Sequence, residues 1–521
     1  MTIHAPLGQS IREILDATQI RVRASCGGTG SCGACVVKLV QGKANPLTTV
    51  EYLKILPENR DRGERLACQL RPMDHCVVQI DCPAPPFPWH SIPSEKLIQL
   101  SQGIHDLKEP IYGLAVDLGT THIRISLLDR QSGRRIGTRI GANPQGVFGS
   151  DVLNRLDASR RHGAALEKLA LDSVLMALKD ILVRDVGEVS AMLPKIGQVL
   201  ISGNTAMLTL LTGQGVETLL DPTHWQKRIV CRPGSQDSWR QAWSMPNAQF
   251  LLPDPVGGFV GSDLVADLIA VDLIAGPTGS MLLDIGTNTE MALWDGKALH
   301  VTSVPGGPAF EGMGLKNGMP AENGAIYRVT LTGDPIAFQV IGNGSPLGFC
   351  GSGLVDIVAV LLSQGILKSS GRFNKLNQTE GFPLIPSDPR TVVTGRDIDT
   401  FQRAKAAMAA AMETLLMEAG MAWEDLTRLV ICGAFGKMLN FRHAVEVGLL
   451  PELKKGRYEM FEHGVLAGCE CVLLHPDGLK LFESTSDLIT LVNLSMVPDY
   501  EKRYIDHLRL RPIINYSSSK E

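Results

Sequence analysis

The chain has 521 residues, is 44% hydrophobic and 20% charged, and carries a formal net charge of −4. That length suits roughly three domains and a large buried core. Without a basic surplus, the composition excludes the usual nucleic-acid binder, and it is too apolar for a disordered chain. No apolar run reaches membrane-spanning length, and Met1-Thr2-Ile3-His4-Ala5-Pro6 lacks the basic and apolar regions of a signal peptide. Eleven cysteines with no secretory signal point to a reducing, cytoplasmic setting.

Ser10 to Ala17 reads as a short helix, with Ser10 and Glu13 in a capping-box pattern. Next comes Cys26-Gly27-Gly28-Thr29-Gly30-Ser31-Cys32-Gly33-Ala34-Cys35, and Cys68 lies further on. A C-x5-C-x2-C run plus one distant cysteine suits a [2Fe–2S] cluster, in which each iron takes two thiolates. A zinc ribbon would need a second close pair, and a disulfide framework would need a secreted chain. The glycines let the loop turn its amides toward the sulfurs. Up to here the chain resembles the ferredoxins. Val36 to Val40 and Val77 to Ile80 read as strands. A ferredoxin opens with a hairpin before its first helix, so the first strand is expected to be missing or replaced, leaving an exposed sheet edge.

These elements place a redox module at residues 1–83 and a Pro-rich linker at 84–110, semi-rigid and extended, which either lets the module swing or is a mere connection packed on the next domain. A first lobe at 111–275 and a second lobe with the C-terminal region at 276–521 follow from a distant repeat. Val116-Asp117-Leu118-Gly119-Thr120-Thr121 and Leu283-Asp284-Ile285-Gly286-Thr287-Asn288 both end an apolar strand in Asp-x-Gly-Thr and lead into another strand. Such a hairpin turn offers amides and hydroxyls to phosphate oxygens, and its aspartate can hold Mg²⁺ through water. A third loop, Gly433-Ala434-Phe435-Gly436, empties from a buried strand and lets a base or ribose approach the backbone. The helix before it spans Thr400 to Ala419, ends at Gly420, and carries Met408, Met412 and Met417 as core filler.

The order of two phosphate loops and an adenosine loop resembles the superfamily of actin, sugar kinases and the large chaperone ATPases. That resemblance implies two RNase H-like lobes closing over ATP·Mg²⁺. Gly351, Ser352 and Gly353 precede an apolar helix from Leu354 to Leu362, whose N-terminus favours an anion. Ser202-Gly203-Asn204-Thr205 enters a helix in the same way, and Glu311 is the only acid in the Pro305–Gly312 loop. Ser262 or Asp263 is expected to cap another helix.

A [2Fe–2S] module joined to an actin-like ATPase resembles the reductive activators of corrinoid-dependent methyltransferases. The segments that carry the resemblance also include Asn143-Pro144-Gln145, Gly203-Asn204-Thr205-Ala206-Met207, Gly307-Pro308-Ala309-Phe310-Glu311-Gly312 and Cys350-Gly351-Ser352-Gly353. The expected fold is therefore a small α+β ferredoxin-like domain followed by a two-lobed α/β actin-like ATPase. The resemblance implies one-electron reduction of a Co(II) corrinoid to Co(I) at the expense of ATP. Cys26, Cys32, Cys35 and Cys68 are the expected cluster ligands, and Asp117, Asp284 and Glu311 the expected catalytic acids. Gly119, Thr120, Thr121, Gly286, Thr287, Asn288, Gly351, Ser352, Gly353, Gly433, Ala434, Phe435 and Gly436 are the expected nucleotide contacts. The implied partners are a corrinoid protein and a low-potential electron donor, with no nucleic acid and no membrane, and a homodimer is compatible. ATP has a physical reason to be needed. Plant-type clusters sit at about −400 mV, the resemblance implies that Co(I) is a stronger reductant, and every ~59 mV uphill is a factor of ten. The alternative is an actin-like kinase of a small metabolite with a redox-sensing cluster, using Asp254, Asp263 or Glu311 as base.

Overall fold

The computed structural model describes residues 8–513, apart from 17–20, 23–29, 32, 82, 85–88, 94–96, 98, 100–102, 105, 106, 109, 150, 187, 225, 226, 331–335, 375–379, 387, 434 and 455. Cys26, Cys32 and Ala434 therefore lie outside the described residues. The chain divides into two units: 1–92 with 103–224 and 229–254, and 93–102 with 225–228 and 255–521.

The first unit begins with helix α1 (Ile11–Asp16) and a three-stranded antiparallel sheet. Strand β1 (Val36–Gln41) lies between β2 (Glu64–Leu66) and β3 (Val77–Gln79). Ile11, Ile14 and Leu15 of the helix pack with Val37, Ile55, Leu66 and Leu70. Helix α2 (Thr49–Lys54) is pinned by a fully buried acid. Glu51 caps its own helix, takes two hydrogen bonds from Arg65 at 2.8 and 3.0 Å, and accepts from the Leu66 amide at 3.0 Å. Burial pushes the Glu51 pKa up, but these bonds outweigh it and leave it lowered.

The Pro-rich segment is not free over its whole length. His90 exchanges both backbone hydrogen bonds with Ile140, at 3.0 and 2.8 Å. The Ile92 amide donates to the Thr138 hydroxyl, and Arg139 reaches the Ser91 hydroxyl. Trp89 covers Gly141, where a Cβ would lie 2.6 Å from its ring. Of the two readings of this segment, a linker that swings and a connection packed on the next domain, the contacts at Trp89–Ile92 fit the second, because an open strand edge has backbone groups to satisfy.

That edge belongs to the larger sheet of the first unit, formed by β4 (Tyr112–Leu118), β5 (His122–Asp129), β6 (Arg134–Ala142), β7 (Ile196–Ser202) and β8 (Gln249–Leu251). Its order is β8-β7-β4-β5-β6. The β4, β5 and β6 strands run antiparallel, while β7 and β8 join in parallel. Helices α3 (Val152–Ile181) and α4 (Thr205–Thr212) belong to the same unit.

The second unit repeats this plan. Helix α5 (Ser262–Ala270) precedes β9 (Ser280–Ile285), β10 (Thr289–Trp294), β11 (Leu299–Val304) and β12 (Ala325–Thr330). After helices α6 (Gly351–Ser363) and α7 (Gly395–Glu418) come β13 (Arg428–Cys432), β14 (Arg457–Phe461), α8 (Gly464–Leu474), β15 (Ile489–Leu491) and α9 (Tyr500–His507). The sheet order is β14-β13-β9-β10-β11-β15, with β9, β10 and β11 antiparallel and β13 and β14 parallel to β9. Each Asp-x-Gly-Thr motif therefore sits at the same place, in the hairpin turn that leaves the central strand.

Several boundaries differ from the sequence reading. Helix α7 starts at Gly395 because Thr394 and Asp397 form a capping box. Helix α5 is capped by Gly261, not by Ser262 or Asp263, and Asp263 lies in its first turn. Met408 and Met412 are fully buried as expected, but Met417 is exposed. Among the described residues, no helix is long and apolar enough to cross a membrane.

Candidate functional site

Cys35 and Cys68 are both buried, at the same end of the β1–β2 pair. The Ala67 amide donates to the Cys35 carbonyl at 2.8 Å, and the Gln69 side-chain amide lies 3.6 Å from the Cys68 sulfur. Gly30 has φ +82°, and a Cβ there would lie 2.6 Å from Val50 of α2. The buried Glu51 thus holds the helix on which the cysteine loop rests. Two inward thiols on hydrogen-bonded segments, in a glycine cradle, fit a sulfur-ligated cluster. The other two expected ligands, Cys26 and Cys32, are outside the described residues. Among the described residues, no group of three or more His, Cys, Asp or Glu is placed to hold a metal ion.

In the first unit, the turn Gly119–Thr121 joins β4 to β5 and is held from behind. The Asn143 amide donates to the Thr121 carbonyl at 2.8 Å, and its side chain donates to the Gly119 carbonyl at 2.8 Å. The Asn204 side chain donates to the Thr120 hydroxyl at 2.9 Å. A Cβ on Gly203 would lie 2.7 Å from the Leu118 carbonyl oxygen, so that glycine permits close approach of the two loops. Asp117, an expected catalytic acid that can hold Mg²⁺ through water, lies in β4 just before this turn. Its carboxylate is buried and ion-paired with Arg124, its cross-strand partner, at 2.8 Å. Burial pushes its pKa up, and Arg124 offsets this only in part.

In the second unit, Asp284 is half-buried and registers with Glu290 on one side and Cys432 on the other. Thr287 donates to the Glu311 carboxylate at 3.1 Å, which brings the Pro305–Gly312 loop to the second turn. Gly433 has φ +90°, and a Cβ there would lie 2.8 Å from the Ile285 carbonyl oxygen and 3.1 Å from the Asp284 carboxylate. The second and third loops are therefore neighbours by virtue of parallel β9–β13 pairing. Phe435 packs on Phe310 with ring centroids 4.9 Å apart. Gly351 and Gly353 serve close packing, since their missing Cβ positions are filled by the carbonyl oxygens of Phe310 and Ile326. Ser352 is buried, with its hydroxyl 3.2 Å from the Cys350 sulfur. That contact engages the side chain expected to face an anion.

Sequence reasoning did not single out Glu290 or Asp267 behind the second turn, and it named Asp263 only as a cap or a kinase base. Burial first, then the charges of Asp263 and Asp284, push the Glu290 pKa well above the carboxylate range. Burial and the charges of Asp267 and Asp284 likewise raise the Cys432 thiol. Asn143, Asn204 and Arg124 also had no assigned role. The register of a short hairpin puts Asp117 opposite Arg124, so that pair was legible in principle. Asp254, a candidate base for the kinase alternative, is ion-paired with Arg232, with a second contact of 2.9 Å.

Residues 1–73 match a 2Fe-2S iron-sulfur cluster binding domain, 112–275 the RACo middle region, and 278–516 the C-terminal domain of RACo, the ASKHA domain. The chain belongs to the RACo family. The expected ferredoxin-like domain followed by an actin-like ATPase fold is met in this assignment. The corrinoid activation enzyme RamQ of Eubacterium limosum is 28% identical over 430 residues, covering 77% of this chain and 70% of that protein. A [Co(II) methylated amine-specific corrinoid protein] reductase of Methanosarcina barkeri is 25% identical over 383 residues, covering 66% of this chain and 67% of its own length. A solved structure of a reductive activator for corrinoid,iron-sulfur protein superposes with a TM-score of 0.62 at 23% identity, over 98% of this chain and 97% of that one. At that identity the likeness concerns the fold.

Proposed function

We propose that this protein is a cytoplasmic, ATP-hydrolysing activator that reduces a Co(II) corrinoid protein to Co(I), one electron at a time. The observation that carries the reading is the union, in one RACo-family chain, of a cluster-binding-type module and a duplicated phosphate-loop fold. Cys35 and Cys68, with Cys26 and Cys32, are the residues assigned to hold a [2Fe–2S] cluster. When bound, it supplies a one-electron store fed by a low-potential donor.

In each unit the hairpin turn offers backbone amides and hydroxyls suited to phosphate oxygens, at Gly119–Thr121 and at Gly286–Asn288. Gly433 to Gly436 suit the nucleoside, and Glu311 is assigned to the second turn through Thr287. Mg²⁺ is assigned to Asp284, since one or two carboxylates with phosphate oxygens and waters suffice for it. Asp117 is assigned to holding Arg124. The balance is one electron into cobalt and one water into the terminal phosphoanhydride bond, releasing ADP and phosphate. The nucleotide shifts a two-state complex of protein and client, and the client is easier to reduce in one state.

The test mixes purified protein with a Co(II) corrinoid protein, a low-potential donor and ATP, and follows Co(I) absorbance. Client reduction is expected to require ATP, while bleaching of the protein's own visible absorbance is expected not to. Bleaching that waits for ATP, or Co(I) formed equally well without it, would overturn the reading.

A further inference from the structure

We propose that Asn204 is a positioning residue that turns the Thr120 hydroxyl into a hydrogen-bond donor for a phosphoryl oxygen of the nucleotide. The inference rests on the nucleotide reading above and adds how the first turn is made ready for an anion. Asn204 is the N-cap of α4, and its side-chain oxygen accepts from the Met207 amide at 3.0 Å. That bond fixes which way the amide faces. Its nitrogen, which can only donate, then meets the Thr120 oxygen at 2.9 Å. The Thr120 oxygen is thereby an acceptor, and its one proton must point elsewhere. Among the described residues, the Thr120 hydroxyl has no other hydrogen bond.

The turn around this hydroxyl cannot drift. Asn143 grips the carbonyls on both sides of Thr120, at Gly119 and Thr121. Gly203 brings the Asn204 loop against Leu118. Thr120 itself is only 6% exposed, so its proton is held in a dry setting where a missing acceptor is costly. A phosphoryl oxygen supplies that acceptor. An asparagine at this position also carries no charge, unlike aspartate, which caps a helix equally well but would repel phosphate and accept the hydroxyl proton.

Asn204→Ser keeps a capping oxygen and is too short to reach Thr120. Asn204→Asp keeps the cap and reverses the hydroxyl. Affinity for ATP·Mg²⁺ is measured by calorimetry on the full chain, alongside melting without nucleotide. Asn204→Ser and Thr120→Val are each expected to weaken binding about tenfold, the usual value of one hydrogen bond to a charged group. Asn204→Asp is expected to weaken it more. The Asn204→Ser/Thr120→Val double variant should bind no more weakly than Thr120→Val alone, and the melting temperature of Asn204→Ser should fall by no more than the loss of one neutral hydrogen bond accounts for. Wild-type affinity in Asn204→Ser, or multiplied effects in the double variant, would overturn this proposal alone. Absence of ATP binding by the wild-type chain would overturn the nucleotide reading beneath it.

Discussion

Replacing Gly433 by alanine tests whether the third loop depends on close backbone contact with the second. Two costs are expected. At φ +90° an L-residue is strained by about 1–2 kcal/mol. In addition, the new Cβ would stand 2.8 Å from the Ile285 carbonyl oxygen, a backbone atom with no easy escape, and 3.1 Å from the Asp284 carboxylate. Gly420 provides the control. It has φ +66° and nothing within 4 Å of the point where a Cβ would stand, so Gly420→Ala carries the strain without the clash. Denaturant titration should show Gly433→Ala less stable than Gly420→Ala. ATP affinity should fall roughly three- to tenfold in Gly433→Ala, as expected for one displaced neutral hydrogen bond to the nucleoside, and remain unchanged in Gly420→Ala. If the two variants matched in both stability and nucleotide affinity, the idea that this glycine couples the two loops would be wrong.

Three further outcomes are expected. Lys405 is buried in α7, donates to the Arg509 carbonyl at 2.6 Å, and has its pKa lowered to about 7 by burial and then by Arg511. Between pH 7 and 10.5 the unfolded chain holds a proton that the folded chain lacks, so the burial penalty is full below pH 7 and fades as pH rises. The stability of Lys405→Met relative to wild type should therefore fall, by on the order of a few kcal/mol, between pH 6 and pH 10 in denaturant titrations. Arg124→Met leaves the Asp117 carboxyl buried without its cation, and a loss of about 3–5 kcal/mol is expected. Adding Asp117→Asn should recover much of that loss, and a double variant no more stable than Arg124→Met would contradict the pairing. Cys68→Ser should abolish visible absorbance after anaerobic reconstitution with iron and sulfide while leaving ATP affinity intact. Full colour in that variant would remove Cys68 from the ligand set.

The amino-acid sequence by itself determined the broad plan. The cysteine spacing marked a redox module, and the repeated Asp-x-Gly-Thr motifs marked two hairpin turns of one kind. Those signals are local, because ligand spacing and turn chemistry are properties of a few consecutive residues. Tertiary structure decided how the turns are held. Asn143 and Asn204 lie 24 and 84 residues from the backbone and hydroxyl they grip, and no local pattern announces such a bond. Only folding showed that Ser352 faces Cys350 and that Trp89 to Ile92 lie along a strand edge. Side-chain identity states what a group can bond to, whereas burial and long-range pairing decide which partner it has.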